Sequence, residues 1–376
     1  MNPDSPRYVR SLDSLRAVAA LLVVLEHTPL TMKTWEWAAQ IQMRFAPGYL
    51  GVDLFFVLSG FLITRILMSD REAGVPLRWF WARRALRIFP AFYLLTAIVA
   101  VVRWGPEIPW VATYLSNFYF YRLEVPFSPL SHTWSLAVEE HFYLLWPLLV
   151  YLLPRRLAIA VTGLVMVPVS MAVAYWVARY GLLESMSMGQ AFTPIRMFSL
   201  ALGGLLAFGE PVYQRLMADR ALVRFWSTVS LAIISLAAIN WGYLWYVESL
   251  LDADKRTFIA INRMVGMGGV SLGLVTLTIM ADRIPKVRWL DPPFVVLRYV
   301  GRISYGLYLY HLPVFFFMDV DGRARSGALT GWDMALAVAL SFAAAIASYH
   351  LVERPIMGFG KRFRRAIPIR SQTPTR

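Results

Sequence analysis

The 376-residue sequence contains no cysteine. That excludes disulfides, thiolate metal sites, haem-attachment motifs and a cysteine nucleophile, so any covalent intermediate must form on Ser, His or another oxygen or nitrogen group. No metal-ligand set is expected. Charge is scarce as well. Only 16% of the residues are charged and 58% are hydrophobic, against roughly 25% charged in an ordinary soluble domain. Mean hydropathy is +0.53. A chain this apolar cannot keep a wet surface around one core. Lysine is nearly missing: the formal charge of +14 comes from 33 Arg and 4 Lys against 23 acidic residues. In a soluble protein such an excess would suggest nucleic acid. Here the basic residues sit mostly in short loops between apolar blocks, where they set membrane orientation, and no nucleic acid partner is expected. There is no linker, low-complexity tract, second soluble domain or internal repeat, which argues against a transporter built from inverted halves. The first apolar block contains Arg16 and runs to His27 without a small-residue cleavage pattern, so no cleaved leader is expected.

What the sequence does have is a series of bilayer-length apolar blocks. They cover 12–30, 48–68, 88–103, 130–153, 157–179, 193–209, 225–247, 262–281, 299–319 and 332–352. The stretch 109–121, bracketed by Pro106, Pro109 and Pro126, is too short to span and reads as interfacial or re-entrant. With ten spans and both termini inside, the inner loops hold 23 Lys or Arg and the outer loops 9. Counting 109–121 as a span would put the basic loop 69–87 and the basic tail on opposite faces. The expectation is an all-α, polytopic integral membrane protein with about ten transmembrane helices and cytoplasmic termini. It comprises one membrane domain over 1–360 and a basic, disordered cytoplasmic tail over 361–376.

Charged groups at membrane depth usually face a cavity or a partner. Arg16 and His27 lie eleven residues apart, three helical turns with a rise of roughly 16 Å, and so share a face. Asp13 is placed to pair with Arg16. The plainer reading is a snorkelling arginine and an interfacial histidine. Asp53, in GVDLFFVLSGFLIT, is expected at the depth of His27, where a carboxylate would fix the imidazole's tautomer for general-base work; alternatively it caps its helix. Ser135, Glu139 and Tyr143 fall at i, i+4 and i+8 and stack on one face, with His132 joining from the membrane edge. Inter-helix hydrogen bonding explains such a stripe equally well. Arg84 and Arg87 share a face before the third block. They suit a phosphorylated ligand, because guanidinium forks bind phosphate oxygens bidentately, or they simply set orientation. His311, His350 and Glu353 read as structural or interfacial.

The order of RSLDSLRAVAALLVVLEH, GVDLFFVLSGFLIT, RRALRIFP, SHTWSLAVEEHFYLLWPLL and GRISYGLYLYHLPV resembles acyltransferase family 3, the membrane O-acyltransferases, over about residues 10–355. The family's Arg/Lys-x10-His signature matches Arg16 and His27, its Arg-x-x-Arg motif Arg84 and Arg87, and its Ser-x3-Glu-x3-Tyr motif Ser135, Glu139 and Tyr143. Glu26 departs from the aromatic or apolar residue usual at its position, and the hydrolase-like domain fused to some relatives is not in this sequence. The resemblance implies transfer of an acyl group, commonly acetyl, from acyl-CoA to a hydroxyl of a cell-surface or exported polysaccharide or its lipid-linked precursor. It places the enzyme in a bacterial cytoplasmic membrane, with polysaccharide-assembly proteins as further partners and acyl-CoA as co-substrate rather than a bound cofactor. A small hydroxylated metabolite such as a macrolide is the alternative acceptor; a proton or anion transporter is the rival from another class. On the family reading Arg84, Arg87 and Arg16 hold the donor, and His27 acts as base or acyl carrier. Asp53 or Glu139 orients the imidazole, while Ser135, Tyr143 and His132 position substrates.

Overall fold

The computed structural model describes residues 11–28, 47–122, 128–179, 191–211, 253–281 and 291–365, with Val9 and a few positions between 227 and 235. Every element among the described residues is helical. In chain order they are α1 (Ser11–Glu26), α2 (Pro47–Glu72), α3 (Leu77–Val102), α4 (Ile108–Ala112), α5 (Ser116–Arg122) and α6 (Thr133–Leu152). Then come α7 (Arg155–Val161), continued through a π-turn at Thr162–Met166 into α8 (Val167–Arg179), α9 (Thr193–Phe208) and α10 (Ala253–Ala281). The last are α11 (Asp291–Phe317), α12 (Val320–Arg325) and α13 (Gly331–Ser348), joined by a π-turn at Tyr349–Glu353 to α14 (Arg354–Arg365). The block expected at 225–247 lies mostly outside the described residues.

By length and composition, four helices can cross a membrane: Gly48–Glu72, Leu77–Val102, Arg155–Val177 and Gly331–Phe359. Helices α1, α6, α9 and α11 fall short of that apolarity or length, and they carry the polar groups Arg16, Glu139, Arg196 and His311. Their outward sides remain greasy, as with Leu144, Leu145 and Leu148 of α6, all exposed while Trp146 is buried. Such a surface suits lipid rather than water.

Two expected boundaries move. Loop 69–87 shrinks to Ala73–Pro76, because nothing between Pro76 and Pro90 breaks a helix and α3 starts directly after Pro76. Arg84 and Arg87 therefore sit inside a regular helix. At the other end, α14 runs through Arg365, so the helical part extends past the expected limit at residue 360. Lys and Arg are good helix formers and favour a helix C-terminus. Residues 366–376 lie outside the described residues.

Close backbone approaches order the bundle. A Cβ at Gly301 of α11 would lie 1.8 Å from the Asp13 carbonyl of α1, and one at Gly203 of α9 would lie 2.1 Å from the Val57 carbonyl of α2. Small residues at such crossings let helix backbones touch, as membrane helices require. Helix α1 thus packs between α2 and α11, and α2 is central, meeting α1, α6, α9 and α10.

Contacts at the His27 end of α1 show how the chain returns through 103–132. Helix α2 begins there, with the Gly48 N–H donating to Glu26 (3.2 Å). This carboxylate on a helix N-terminus gives the unusual Glu26 a structural partner. Helix α2 leaves for the far end and α3 comes back: Arg103, just past α3, lies 4.9 Å over the Phe316 ring near the end of α11. Helix α6 also begins there, His132 bonding the Leu309 carbonyl at 3.1 Å. The chain therefore leaves α3 and enters α6 at one end of the bundle, and 108–122 makes two short helices without crossing it. Because the chain lacks cysteine, single cysteines report this cleanly. A membrane-impermeant maleimide should label Trp104→Cys and Ser131→Cys from one side and Ala73→Cys from the other. Labelling of 104 and 131 from opposite sides would make 108–122 a crossing.

Candidate active site

Most of the polar residues singled out in the sequence gather in two adjoining places. The first is a cavity near the middle of the bundle lined by Arg16, Arg84, Arg87, Ser135, Glu139 and Tyr143. Helical spacing turns the last three inward together, as i, i+4, i+8 requires. Glu139 accepts hydrogen bonds from the Ser59 hydroxyl of α2 and from Tyr143 one turn later, both at 2.9 Å. Arg16 pairs with Asp13 at 3.1 Å. The Arg84 guanidinium lies over the Phe80 and Tyr143 rings at 5.6 and 5.9 Å, and it makes no ion pair among the described residues. Arg87 on the same helical face also lacks one among them. Glu139 and Glu140 share the cavity wall with these two guanidiniums, and the absence of an ion pair to either arginine among the described residues leaves their forks able to take a further anion.

The second place is a cluster of imidazoles at the His27 end. His27, half-buried in the turn after α1, has its Nδ1 2.9 Å from the Val23 carbonyl and 3.2 Å from Nε2 of His311. Buried His311 of α11 turns its own Nδ1 to the Tyr308 carbonyl at 2.7 Å. The ring of His132, also buried, lies 5.3 Å from His311. Tyr308 and Ser135 join the two places: they line the cavity and share a short hydroxyl–hydroxyl bond, while Tyr308 donates to the His132 carbonyl at 2.9 Å. The His132 Nδ1 is buried with no hydrogen-bond partner among the described residues.

A matching family model decides the assignment: it is described as an acyltransferase domain and covers residues 9–350. The chain belongs to acyltransferase family 3. It is 31% identical to the peptidoglycan O-acetyltransferase OatA of Listeria monocytogenes, a match covering 94% of this chain and 56% of that protein. A putative peptidoglycan O-acetyltransferase of Bacillus subtilis is 30% identical, with 95% and 56% covered. A putative O-acetyltransferase of Staphylococcus aureus is 28% identical, with 93% and 57% covered. The chain thus spans little more than half the length of these relatives. No solved structure matches it.

The structure brings together six of the residues singled out in the sequence at the cavity, and two, His27 and His132, in the imidazole cluster. It corrects the expected orienting carboxylates. Asp53 does not meet His27; it forms a buried ion pair with Arg196 of α9 at 3.0 Å and a short bond from the Ser199 hydroxyl. A buried carboxylate is held most strongly by an opposite charge with further hydrogen bonds, and Arg196 supplies it. Glu139 likewise turns to Ser59 and Tyr143 rather than to an imidazole. Sequence reasoning missed Arg196, Ser59, Tyr308 and the place of His311. A lone arginine in the apolar run TPIRMFSLALGG was the available signal for the first, since a charge at that depth needs a partner.

Because Asp53 forms a buried ion pair with Arg196, Asp53→Asn removes the carboxylate charge from that pair and should lower stability by about 3–5 kcal/mol. The double variant Asp53→Leu with Arg196→Met should recover most of it. Thermal unfolding in detergent measures both. An Asp53→Asn protein that melts like wild type yet has lost activity would return Asp53 to the chemistry.

Proposed function

We propose that this protein is a membrane O-acyltransferase of the bacterial cytoplasmic membrane. It takes an acetyl group from acetyl-CoA at the arginine end of the cavity. It passes that group to a hydroxyl of a cell-wall or exported glycan, or of its lipid-linked precursor, at the histidine end. The observation that carries this reading is the pair of guanidiniums, Arg84 and Arg87, facing a cavity that adjoins the imidazole cluster through Ser135 and Tyr308. Phosphates are the natural partners of such a pair. The helical rise of roughly 16 Å between Arg16 and His27 suits the extended arm that joins a CoA phosphate to its thioester. Relatives named as peptidoglycan O-acetyltransferases support a glycan acceptor.

In this mechanism His27 takes the proton from the acceptor hydroxyl as its oxygen attacks the thioester carbonyl. The carbon–sulfur bond breaks, and the CoA thiolate leaves with the proton returned by the imidazolium. Glu139, held by Ser59 and Tyr143, keeps the passage polar without approaching the base. Ser135 and Tyr308 hold hydroxyls where the acyl group passes from one place to the other.

Charge-assisted bonds to phosphate are worth about 1.5–3 kcal/mol each. Arg84→Ala and Arg87→Ala should therefore each weaken acetyl-CoA binding by about ten- to a hundredfold, with Lys replacements recovering only part. Titration of the purified variants measures this, and unchanged affinity in the double variant would reduce the arginines to an orienting role. General-base help is typically worth 10²–10⁴-fold in rate, so His27→Ala should lose at least that much turnover while inserting and binding donor normally. Transfer to a glycan acceptor by His27→Ala at a near-wild-type rate would sink this mechanism.

A further inference from the structure

The imidazole cluster is wired in one direction by backbone carbonyls. A carbonyl oxygen only accepts, so the nitrogen facing it must carry the hydrogen. His311 Nδ1, 2.7 Å from the Tyr308 carbonyl, is therefore an N–H. In the neutral ring, His311 Nε2 is then a bare acceptor. His27 Nδ1, 2.9 Å from the Val23 carbonyl, is likewise an N–H, and it also faces that bare Nε2 at 3.2 Å. One hydrogen on His27 is thus shared between two acceptors, one on its own helix and one on α11. The consequence falls on the other side of the ring. His27 Nε2 carries the lone pair and meets no hydrogen-bond partner among the described residues.

We infer that His311 is a positioning residue for the transfer reaction: its Nε2 holds the Nδ1–H of His27, which keeps His27 Nε2 bare and aimed at the acceptor hydroxyl. This rests on the reading of His27 as the base. When His27 gains the acceptor proton, its ring becomes an imidazolium, and its Nδ1–H becomes a charged donor to His311. A neutral acceptor strengthens that bond as charge develops, which is when help to the base lowers the barrier. In the Ser-His-Asp triad a carboxylate does this work. Here the two carboxylates expected to orient His27, Asp53 and Glu139, are both engaged elsewhere, and an imidazole takes the hydrogen-bonding place at less desolvation cost than a carboxylate would. The crossing of α1 with α11 supplies the geometry. Asp13 touches Gly301 at one end, and from there both helices run the same way to His27 and His311 at the other.

The test uses the full-length protein with His311→Phe and His311→Gln, beside His27→Ala. Phe fills the space without an acceptor; Gln offers a carbonyl oxygen to the same N–H. A hydrogen bond to a charged group corresponds to about a ten- to hundredfold change in rate. His311→Phe should therefore lower kcat by that factor with donor KM and melting temperature unchanged, and His311→Gln should recover part of the loss. Nitrogen-15 spectra of histidine-labelled wild type should show His27 protonated at Nδ1 and His311 bare at Nε2. The inference is overturned by a His311→Phe enzyme at wild-type kcat, by a loss that comes with a lowered melting temperature and no relief in Gln, or by His311 protonated at Nε2. An active His27→Ala protein would overturn the base itself. A dead His27→Ala beside a fully active His311→Phe would overturn the role of His311 alone.

Discussion

The passage of α1 between α2 and α11 is the constraint on which the rest of the site depends. Helix backbones approach this closely only where a side chain is missing, and Gly301 provides that gap against the Asp13 carbonyl. Replace the gap with a side chain and the two helices must move apart. Their far ends would move too, and with them the contact between His27 and His311. Helix α2 seals the other side of α1, its first turn capped by Glu26. An apolar bundle has little hydrophobic drive to choose one helix register over another within lipid, so close packing and polar contacts must choose it.

Polar groups in this protein are sorted by what they need. Arg196 and Asp53 cancel one another in the bundle interior and tie α9 to α2. Arg65 and Glu210 do the same toward the other end of those helices, at 2.6 Å. Two positive charges, on Arg84 and Arg87, are left for the cavity. The imidazoles sit apart from them, each bonded to a backbone carbonyl, behind the Ser135–Tyr308 pair. The guanidiniums and the imidazole nitrogens are thereby kept in separate places along the bundle.

Much of this was legible. The i, i+4, i+8 stripe of Ser135, Glu139 and Tyr143 needs only helix geometry, and so does the shared face of Arg84 and Arg87. The pairing of Arg16 with Asp13 needs only three residues of spacing. The partners of Asp53 were not legible. A helix carries no record of which neighbour it packs against, and depth alone pointed to His27. Charge decided for Arg196, because an imidazole satisfies a buried carboxylate less fully than a guanidinium does.

By itself, then, the sequence determined that the chain is a helical, lipid-compatible protein of acyltransferase family 3 and which residues within each helix share a face. Those properties follow from composition, motif and a period of 3.6 residues, all local to one segment. Only the tertiary structure decided that His311 rather than a carboxylate meets His27, that Asp53 belongs to Arg196, and that 108–122 turns back without crossing. Each of these depends on which helices touch and in which direction they run. In a bundle of similar apolar helices, that choice rests on a few glycine contacts and buried polar pairs between residues far apart in the chain.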